Sequence, residues 1–161
     1  MTKLQLSLAC GRYDRTEALF TGAVRPEAIE LTCISLPPHE IFWRMSRFEE
    51  FDVSEMSLSS YLIAKERGQP RLVAIPVFPL RSFRHSFIFV HENAGIKKPE
   101  HLKGKRVGVP EYQMTAALWV RGILQDFYGV SAQEMRGFVG GQEQAGRTER
   151  LPIELPPEID V

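Results

Sequence analysis

The segment from Ile75 to His91 contains the side chains with the clearest chemical potential. It reads IPVFPLRSFRHSFIFVH and places Arg81, Arg84 and His85 within five positions, between apolar runs. Arginine binds carboxylates through paired hydrogen bonds, and histidine exchanges a proton near neutral pH. Together they could hold an anionic substrate and protonate it. A basic turn whose charges face solvent is an equally open interpretation.

Two other stretches carry polar side chains where a predicted strand meets a predicted helix. Arg12 follows the first strand, and Ser57 lies in a serine-rich junction before a helix. Open α/β sheets bind ligands beyond the carboxyl ends of their strands, and helix starts attract anions. Arg12 and Ser57 are therefore candidate substrate-binding residues. The alternatives are an ion pair of Arg12 with Asp14 and simple N-capping by the serine, while Glu55 is either a buried acid or a first-turn carboxylate.

A third junction, Pro110 to Thr115, repeats this strand–turn–helix arrangement in the second half of the chain. Tyr112 and Thr115 lie where such a turn would face a ligand, and both carry hydroxyl groups that can hydrogen-bond a polar substrate. The sequence therefore predicts them as substrate-binding residues. Thr115 is also predicted to cap the helix that follows.

Hydrophobic periodicity predicts the elements that position these junctions. Alternation predicts strands near residues 4–10 and 29–33, and the helical spacing of Ile41, Phe42, Met45 and Phe48 predicts a core stripe. Further predicted elements are a short strand at 51–53, a helix over 58–67, strands over 72–77, 87–90 and 106–109, a helical turn at 99–102, a helix over 116–128 and a capping box at 131–134. The fold class is α/β.

The composition of the chain limits the classes of partner that it is expected to bind. The 161 residues are 43% hydrophobic and 25% charged with zero formal net charge, which predicts a soluble globular protein and argues against nucleic-acid or membrane partners. The N-terminus lacks the apolar core of a signal peptide, so a cytoplasmic location is expected. Cys10 and Cys33 form no Cys-x-x-Cys pair, the histidines have no metal-ligand spacing, and no cofactor is evident.

The motifs, taken as an ordered set, resemble 4,5-dihydroxyphthalate decarboxylase and its relatives in the type II periplasmic-binding-protein-like superfamily. The motifs are CGRYDR (10–15), FDVSEMS (51–57), PLRSFRH (79–85), GVPEYQ (108–113), WVRG (119–122), GGQE (140–143) and Gly146-Arg147. The resemblance implies two α/β lobes with the ligand between them. Residues 1–90 would form the first lobe with its crossover strand, and 91–161 the start of an incomplete second lobe. Family members are longer, so a natural truncation or a fragment is expected.

The reaction implied by the resemblance is non-oxidative decarboxylation of 4,5-dihydroxyphthalate to 3,4-dihydroxybenzoate. Residue chemistry then suggests His85 as the proton donor; the suggested substrate-binding residues are Arg12, Ser57, Arg81, Arg84, Tyr112 and Thr115. The expected partner is a small aromatic dicarboxylate, and a homo-oligomer could form through exposed lobe surface. The alternative is a non-catalytic protein that binds a small anion or aromatic acid, because a fold does not fix function.

Overall fold

The computed structural model describes residues 2–68, 71–141 and 150–161. The chain divides into two compact units, Met1–Ser82 (unit 1) and Phe83–Val161 (unit 2). This division lies within the segment from Ile75 to His91, called the Arg-rich segment below, and eight residues before the lobe boundary expected at residue 90.

Unit 1 is built on a parallel sheet. Its elements are β1 (Leu4–Ala9), α1 (Glu17–Phe20), β2 (Ile29–Ile34), α2 (Pro38–Phe48), β3 (Val53–Ser54) and α3 (Leu58–Glu66). The strand order is β2-β1-β3, with Leu4 opposite Ile29 and Leu8 opposite Val53. Parallel neighbours need a crossover connection, and the α1 and α2 segments supply it. All carboxyl ends of the strands therefore lie at one edge of the sheet.

The core of unit 1 lies between α2 and the end of β1. Ile41 and Met45 of α2 are buried against Ala9 and Phe51. Complete burial of a side chain of this size stabilises the fold by about 1.5–3 kcal/mol. The predicted core stripe is therefore confirmed at Ile41 and Met45 and is wrong at Phe48, which is 57% exposed at the last turn of α2.

Unit 2 contains a two-stranded parallel sheet whose strands are connected through one long helix. Its elements are β4 (Arg106–Val109), α4 (Thr115–Tyr128) and β5 (Arg136–Val139), with 3-10 turns at His85–Phe87, Glu92–Ala94, Pro99–Leu102 and Ala132–Glu134. The core comprises Leu102, Leu124, Val130 and Met135. α4 ends at Gly129, whose left-handed backbone (φ 62°) lets its N–H bond the carbonyls of Leu124 and Gln125.

The pattern of residues 136–139 is too weak to predict β5 from the sequence. This strand is four residues long and has Gly137 at its second position, where a Cβ atom would lie 2.8 Å from Val161 Cγ2 and 3.0 Å from the Asp160 carbonyl oxygen. The Gly137 N–H donates to that carbonyl oxygen at 2.7 Å. Glycine permits this close approach of the C-terminal residues, but glycine is depleted in strands and so obscures the pattern.

Two other strand predictions are wrong. Neither 72–77 nor 87–90 forms a strand in the described structure, and Val73 and Phe89 are 85% and 82% exposed. Pro76 removes a backbone donor within the first of these regions, and no described strand pairs with either region. The predicted cap of α4 is also displaced by one residue, because Met114 is the N-cap and Thr115 is the first helical residue. The capping box of Ser131 and Glu134 is confirmed.

Candidate functional site

The carboxyl ends of β1 and β3 bring two polar segments together in unit 1. Ala9 is opposite Ser54 in the parallel register, and the Glu55 N–H donates to the Ala9 carbonyl oxygen at 2.9 Å. The turn after β1 therefore lies beside the junction between β3 and α3. This edge is where open α/β sheets bind ligands.

Glu55 ties the two segments to each other. It is 8% exposed, and its Oε2 accepts a hydrogen bond from the Gly11 N–H (3.1 Å) while its Oε1 accepts one from the Tyr13 hydroxyl (3.0 Å). Burial, followed by the neighbouring Glu55 charge and this hydrogen bond, raises the pKa of Tyr13 to about 12. Tyr13 therefore stays protonated, with its hydrogen directed at Glu55. Of the two open interpretations of Glu55, burial is the one observed.

The ring of Tyr13 lies against the backbone of Gly11. A Cβ atom at position 11 would lie 2.6 Å from the Tyr13 hydroxyl oxygen. Thr16 fixes the same turn, because its Oγ1 donates to the Gly11 carbonyl oxygen and accepts from the Tyr13 N–H, both at 2.8 Å. Glycine at position 11 is therefore needed for the hydroxyl of Tyr13 to reach Glu55.

A buried serine cluster forms the start of α3. Ser57, Ser59 and Ser60 are 6%, 3% and 0% exposed, and the hydroxyl oxygens of Ser57 and Ser59 are 3.1 Å apart. Ser57 is the N-cap residue, but its side chain makes no capping hydrogen bond to the helix backbone. The start of α3 thus contains buried hydroxyl groups close in sequence to Glu55, which lies between β3 and α3.

Arg12 lies in the β1–α1 turn and is ion-paired. Its guanidinium contacts both carboxylate oxygens of Glu17, and the hydrogen bond from Arg12 lowers the pKa of Glu17. The expected alternative partner, Asp14, pairs instead with Arg15 at 2.8 Å. Arg12 is 52% exposed, so it could exchange Glu17 for the carboxylate of a ligand.

Arg81, Arg84 and His85 are the chemistry-bearing residues of the Arg-rich segment. Arg81 lies over the ring of Phe78 and Arg84 over that of Phe87, each 5.0 Å from the ring centroid. Within the described residues neither arginine forms an ion pair. His85 begins a 3-10 turn and is exposed. Arg81 and His85 are exposed and Arg84 is half-buried, and their roles in substrate binding and proton transfer stay predictions.

The turn between β4 and α4 in unit 2 contains a second buried carboxylate. Glu111 is 1% exposed and accepts hydrogen bonds from Arg150 Nε (2.8 Å), Arg150 Nη2 (3.0 Å) and Gln113 Nε2 (3.0 Å). Beside it, Arg121 lies 3.7 Å from the centroid of the Tyr112 ring, and its Nη2 donates to the Tyr112 carbonyl oxygen at 2.9 Å. Charged groups thus hold the turn that carries Tyr112 and leads into α4 at Thr115.

The predicted site residues are divided between the two units. Arg12, Ser57 and Arg81 belong to unit 1, whereas Arg84, His85, Tyr112 and Thr115 belong to unit 2. Arg12 and Ser57 lie at the same sheet edge, and Tyr112 lies in the turn that leads to Thr115, the first residue of α4. The motif residues 142–143 and 146–147 lie outside the described part of the chain.

Sequence reasoning missed four residues that organise these junctions: Tyr13, Glu111, Arg121 and Arg150. Tyr13, Glu111 and Arg121 lie inside the quoted motifs, so their positions gave a signal, but their partners are distant in sequence. Arg150 is 39 positions from Glu111 and stands in no motif, so the sequence carried no sign of that pair.

An apolar groove of about 200 Å³ lies within unit 2 and contains none of the predicted site residues. Ile88, Val90 and Leu124 line it together with Lys97 and Lys98. Among the residues the structure describes, no group of histidine, cysteine or acidic side chains could hold a metal ion. In the same residues, no helix is both long and apolar enough to cross a bilayer.

A comparison with known protein families identifies the family of this chain. A family model described as "ABC transporter, phosphonate, periplasmic substrate-binding protein" matches residues 39–147, which include the β3–α3 and β4–α4 junctions. The chain belongs to this family. The α/β fold of the periplasmic-binding-protein-like type, predicted from the motifs, is thereby confirmed.

Two curated proteins match this chain along all 161 of its residues. One, a 4,5-dihydroxyphthalate decarboxylase of Comamonas testosteroni, is 44% identical, with 49% of its own length covered. The other, a 4,5-dihydroxyphthalate decarboxylase of Pseudomonas putida, is 41% identical, with 62% of its length covered. The resemblance drawn from the motifs is confirmed, and the chain spans about half to three fifths of these relatives.

Proposed function

We propose that this chain takes part in the non-oxidative decarboxylation of a hydroxylated phthalate, 4,5-dihydroxyphthalate to 3,4-dihydroxybenzoate. The observation that carries the proposal is the 44% identity to a 4,5-dihydroxyphthalate decarboxylase across the whole chain, which includes every candidate junction. The activity is a carboxy-lyase reaction, and the product would enter aromatic catabolism.

The reaction sets three requirements. A ring hydroxyl para to the departing carboxylate supplies electrons to the ring as it loses its proton. A general acid then protonates the ring carbon that bears this carboxylate, and the carbon–carbon bond breaks to release carbon dioxide. The electrons of the broken bond restore the aromatic ring, and the hydroxyl oxygen regains its proton. The net change is one proton gained at the ring carbon, while the other carboxylate remains. The site therefore needs a cationic clamp, a proton donor and partners for the ring hydroxyls.

The cationic clamp is assigned to Arg12, Arg81 and Arg84. Guanidinium groups bind carboxylates with two hydrogen bonds in a fixed orientation. Arg81 has no ion-pair partner in the described residues, and the same is true of Arg84. Arg12 would exchange its exposed contact with Glu17 for the substrate, and such an exchange costs little because exposed ion pairs are weak.

The proton donor is assigned to His85, and the ring hydroxyls to Ser57, Tyr112 and Thr115. His85 is exposed, so it could meet a bound substrate and recover its proton from water. Carboxylates of the bound substrate would attract the charged imidazole that donates the proton. Serine, threonine and tyrosine hydroxyls both donate and accept hydrogen bonds.

The proposal places the chain in the cytoplasm, where its free thiols at Cys10 and Cys33 would stay reduced. It also allows a homo-oligomer. Cell fractionation and the mass of the purified chain in solution test these two points.

The deciding experiment incubates the purified chain with 4,5-dihydroxyphthalate and follows substrate and 3,4-dihydroxybenzoate by chromatography. The Comamonas relative serves as the positive control, and the buffer alone as the negative control. Product formation above the buffer control supports the proposal. Unchanged substrate together with measurable binding, followed by calorimetry, would instead favour a binding protein for aromatic acids.

A further inference from the structure

The pair of Glu55 and Tyr13 is built into the same sheet edge as Arg12 and Ser57, yet the roles assigned above do not use it. Its position at the carboxyl ends of β1 and β3 is the ligand-binding edge of a parallel sheet. In the described part of the chain, the side-chain oxygens of Glu55 accept only from the neutral donors Gly11 and Tyr13.

We propose that Tyr13 contacts a ring hydroxyl of the substrate and that Glu55 is the positioning residue that orients Tyr13 for this contact. The inference rests on the proposed function, because it concerns how a hydroxylated phthalate is told apart from phthalate itself.

The hydrogen-bond directions decide what Tyr13 can recognise. Its hydroxyl hydrogen is directed at Glu55 Oε1 (3.0 Å), so its oxygen retains only acceptor capacity. The raised pKa of Tyr13, about 12, keeps that hydrogen in place at neutral pH. An acceptor can pair with a ring hydroxyl, which donates, and cannot pair with a carboxylate, which only accepts. Tyr13 therefore selects for the hydroxyl groups and against a misplaced carboxylate.

The surroundings hold Tyr13 in this orientation. The ring lies against Gly11, and the guanidinium carbon of Arg15 lies 5.2 Å from the ring centroid. Because Glu55 Oε2 is already engaged by the Gly11 N–H (3.1 Å), the carboxylate cannot turn without losing a second bond. The acceptor is thus preorganised, which is the condition for selective recognition of one polar group.

Calorimetric titration with two ligands, 4,5-dihydroxyphthalate and unsubstituted phthalate, tests the inference. The wild-type chain is expected to bind the dihydroxylated compound more tightly. Tyr13→Phe should lower this preference about tenfold, the value of one hydrogen bond, with the affinity for phthalate unchanged. Tyr128→Phe, at an exposed tyrosine that ends α4, is the matched control and should keep the preference.

Glu55→Gln provides the second variant. Its amide has one acceptor oxygen for the two donors of Gly11 and Tyr13, so the Tyr13 hydrogen is released and can turn toward a carboxylate. The variant should lose preference chiefly by binding phthalate more tightly, which a loss of structure would not produce. Circular dichroism verifies that each variant is folded.

Three results would overturn the inference: an unchanged preference in Tyr13→Phe, an equal loss of affinity for both ligands, or no binding of either ligand by the folded wild-type chain. The product assay separates this inference from the proposed function. A chain that forms product but keeps its preference in Tyr13→Phe overturns the role of Tyr13 alone. A chain whose preference falls as expected but which forms no product supports the role of Tyr13 in recognition and counts against catalysis.

Discussion

Arg150 and Glu111 form a buried ion pair with two parallel hydrogen bonds, 2.8 Å from Nε to Oε2 and 3.0 Å from Nη2 to Oε1. Their side chains are 7% and 2% exposed. The pair joins the C-terminal residues of unit 2 to the turn between β4 and α4. Removing one partner of such a pair leaves the other charge buried without compensation. The stability of the turn that carries Tyr112 therefore depends on both residues.

We expect Arg150→Ala to lower the free energy of unfolding by about 3–5 kcal/mol, because Glu111 would remain as an uncompensated buried charge. Urea unfolding followed by Trp119 fluorescence, in a Trp43→Phe background, measures the change within unit 2. Arg106→Ala is the matched control, since Arg106 is an exposed arginine on β4 of the same unit. The control should cost less than about 1 kcal/mol, as exposed substitutions usually do. Equal losses in the two variants would contradict the prediction.

Asp52 gives a prediction for acid pH. Its Oδ2 accepts hydrogen bonds from the backbone N–H and the hydroxyl of Ser7, both at 2.8 Å, and these bonds, the backbone one first, lower the pKa of Asp52. A lowered folded-state pKa means that Asp52 contributes stability above its unfolded pKa and loses it as the pH falls through the folded value. Ser7→Ala should therefore raise the pKa of Asp52.

A carboxyl-detected NMR titration of Asp52 measures this shift, and Asp52→Asn should flatten the acid side of the stability profile. Ser35→Ala, which changes an exposed serine just after β2, is the control. An unmoved Asp52 titration in Ser7→Ala would show that the backbone N–H alone sets the pKa.

Alkaline pH should weaken unit 1. Burial, followed by the Glu55 charge, raises the pKa of Cys10 to about 11, and that of Tyr13 is raised to about 12. Both groups favour their protonated forms in the folded state, so their contribution is intact below the unfolded pKa values and is lost as the pH rises toward the folded ones. Thermal unfolding by circular dichroism should show Tm falling above about pH 9, near the ordinary pKa of a thiol.

Tyr13→Phe should remove the part of this decline that lies above about pH 10, the ordinary pKa of tyrosine, while Tyr128→Phe should not.

Carboxamidomethylation offers a second measurement, of the burial of Cys10, because only the thiolate reacts. Cys10 is 3% exposed and should react slowly in the folded chain at neutral pH, and rapidly once urea unfolds it. Rapid reaction in the folded chain would contradict its burial.

Sequence periodicity predicted the elements whose signals are local. The alternation of Leu4, Leu6 and Leu8 and the helical spacing of Ile41 and Met45 are both found as predicted. The failures lie where structure depends on a partner. Residues 87–90 are as apolar as a buried strand, yet a strand needs a neighbour to pair with, and the described chain provides none there.

The sequence allowed the strand–helix junctions of the candidate site to be predicted, but not the contacts between their residues. Strand–turn–helix signals located the turns of Arg12, Ser57 and Tyr112. The partners were not predictable, because hydrogen bonds such as that from Tyr13 to Glu55 join residues 42 positions apart. Arg12 shows the same limit on a smaller scale: Asp14 and Glu17 are both near in sequence, and the α1 turn brings only Glu17 to the guanidinium.

His85 provides the sharpest test of the proposed chemistry. It is exposed at the start of a short 3-10 turn, so His85→Gln should leave the fold intact. If His85 supplies the proton, turnover of 4,5-dihydroxyphthalate should fall by about 10²–10⁴-fold, the usual contribution of a general acid, while calorimetric binding of the substrate is retained. His39→Gln changes an exposed histidine on α2 and is the matched control. Unchanged turnover in His85→Gln would exclude His85 as the acid, and a parallel loss of binding would make it part of the cationic clamp, because only an intact complex that fails to react isolates the proton transfer.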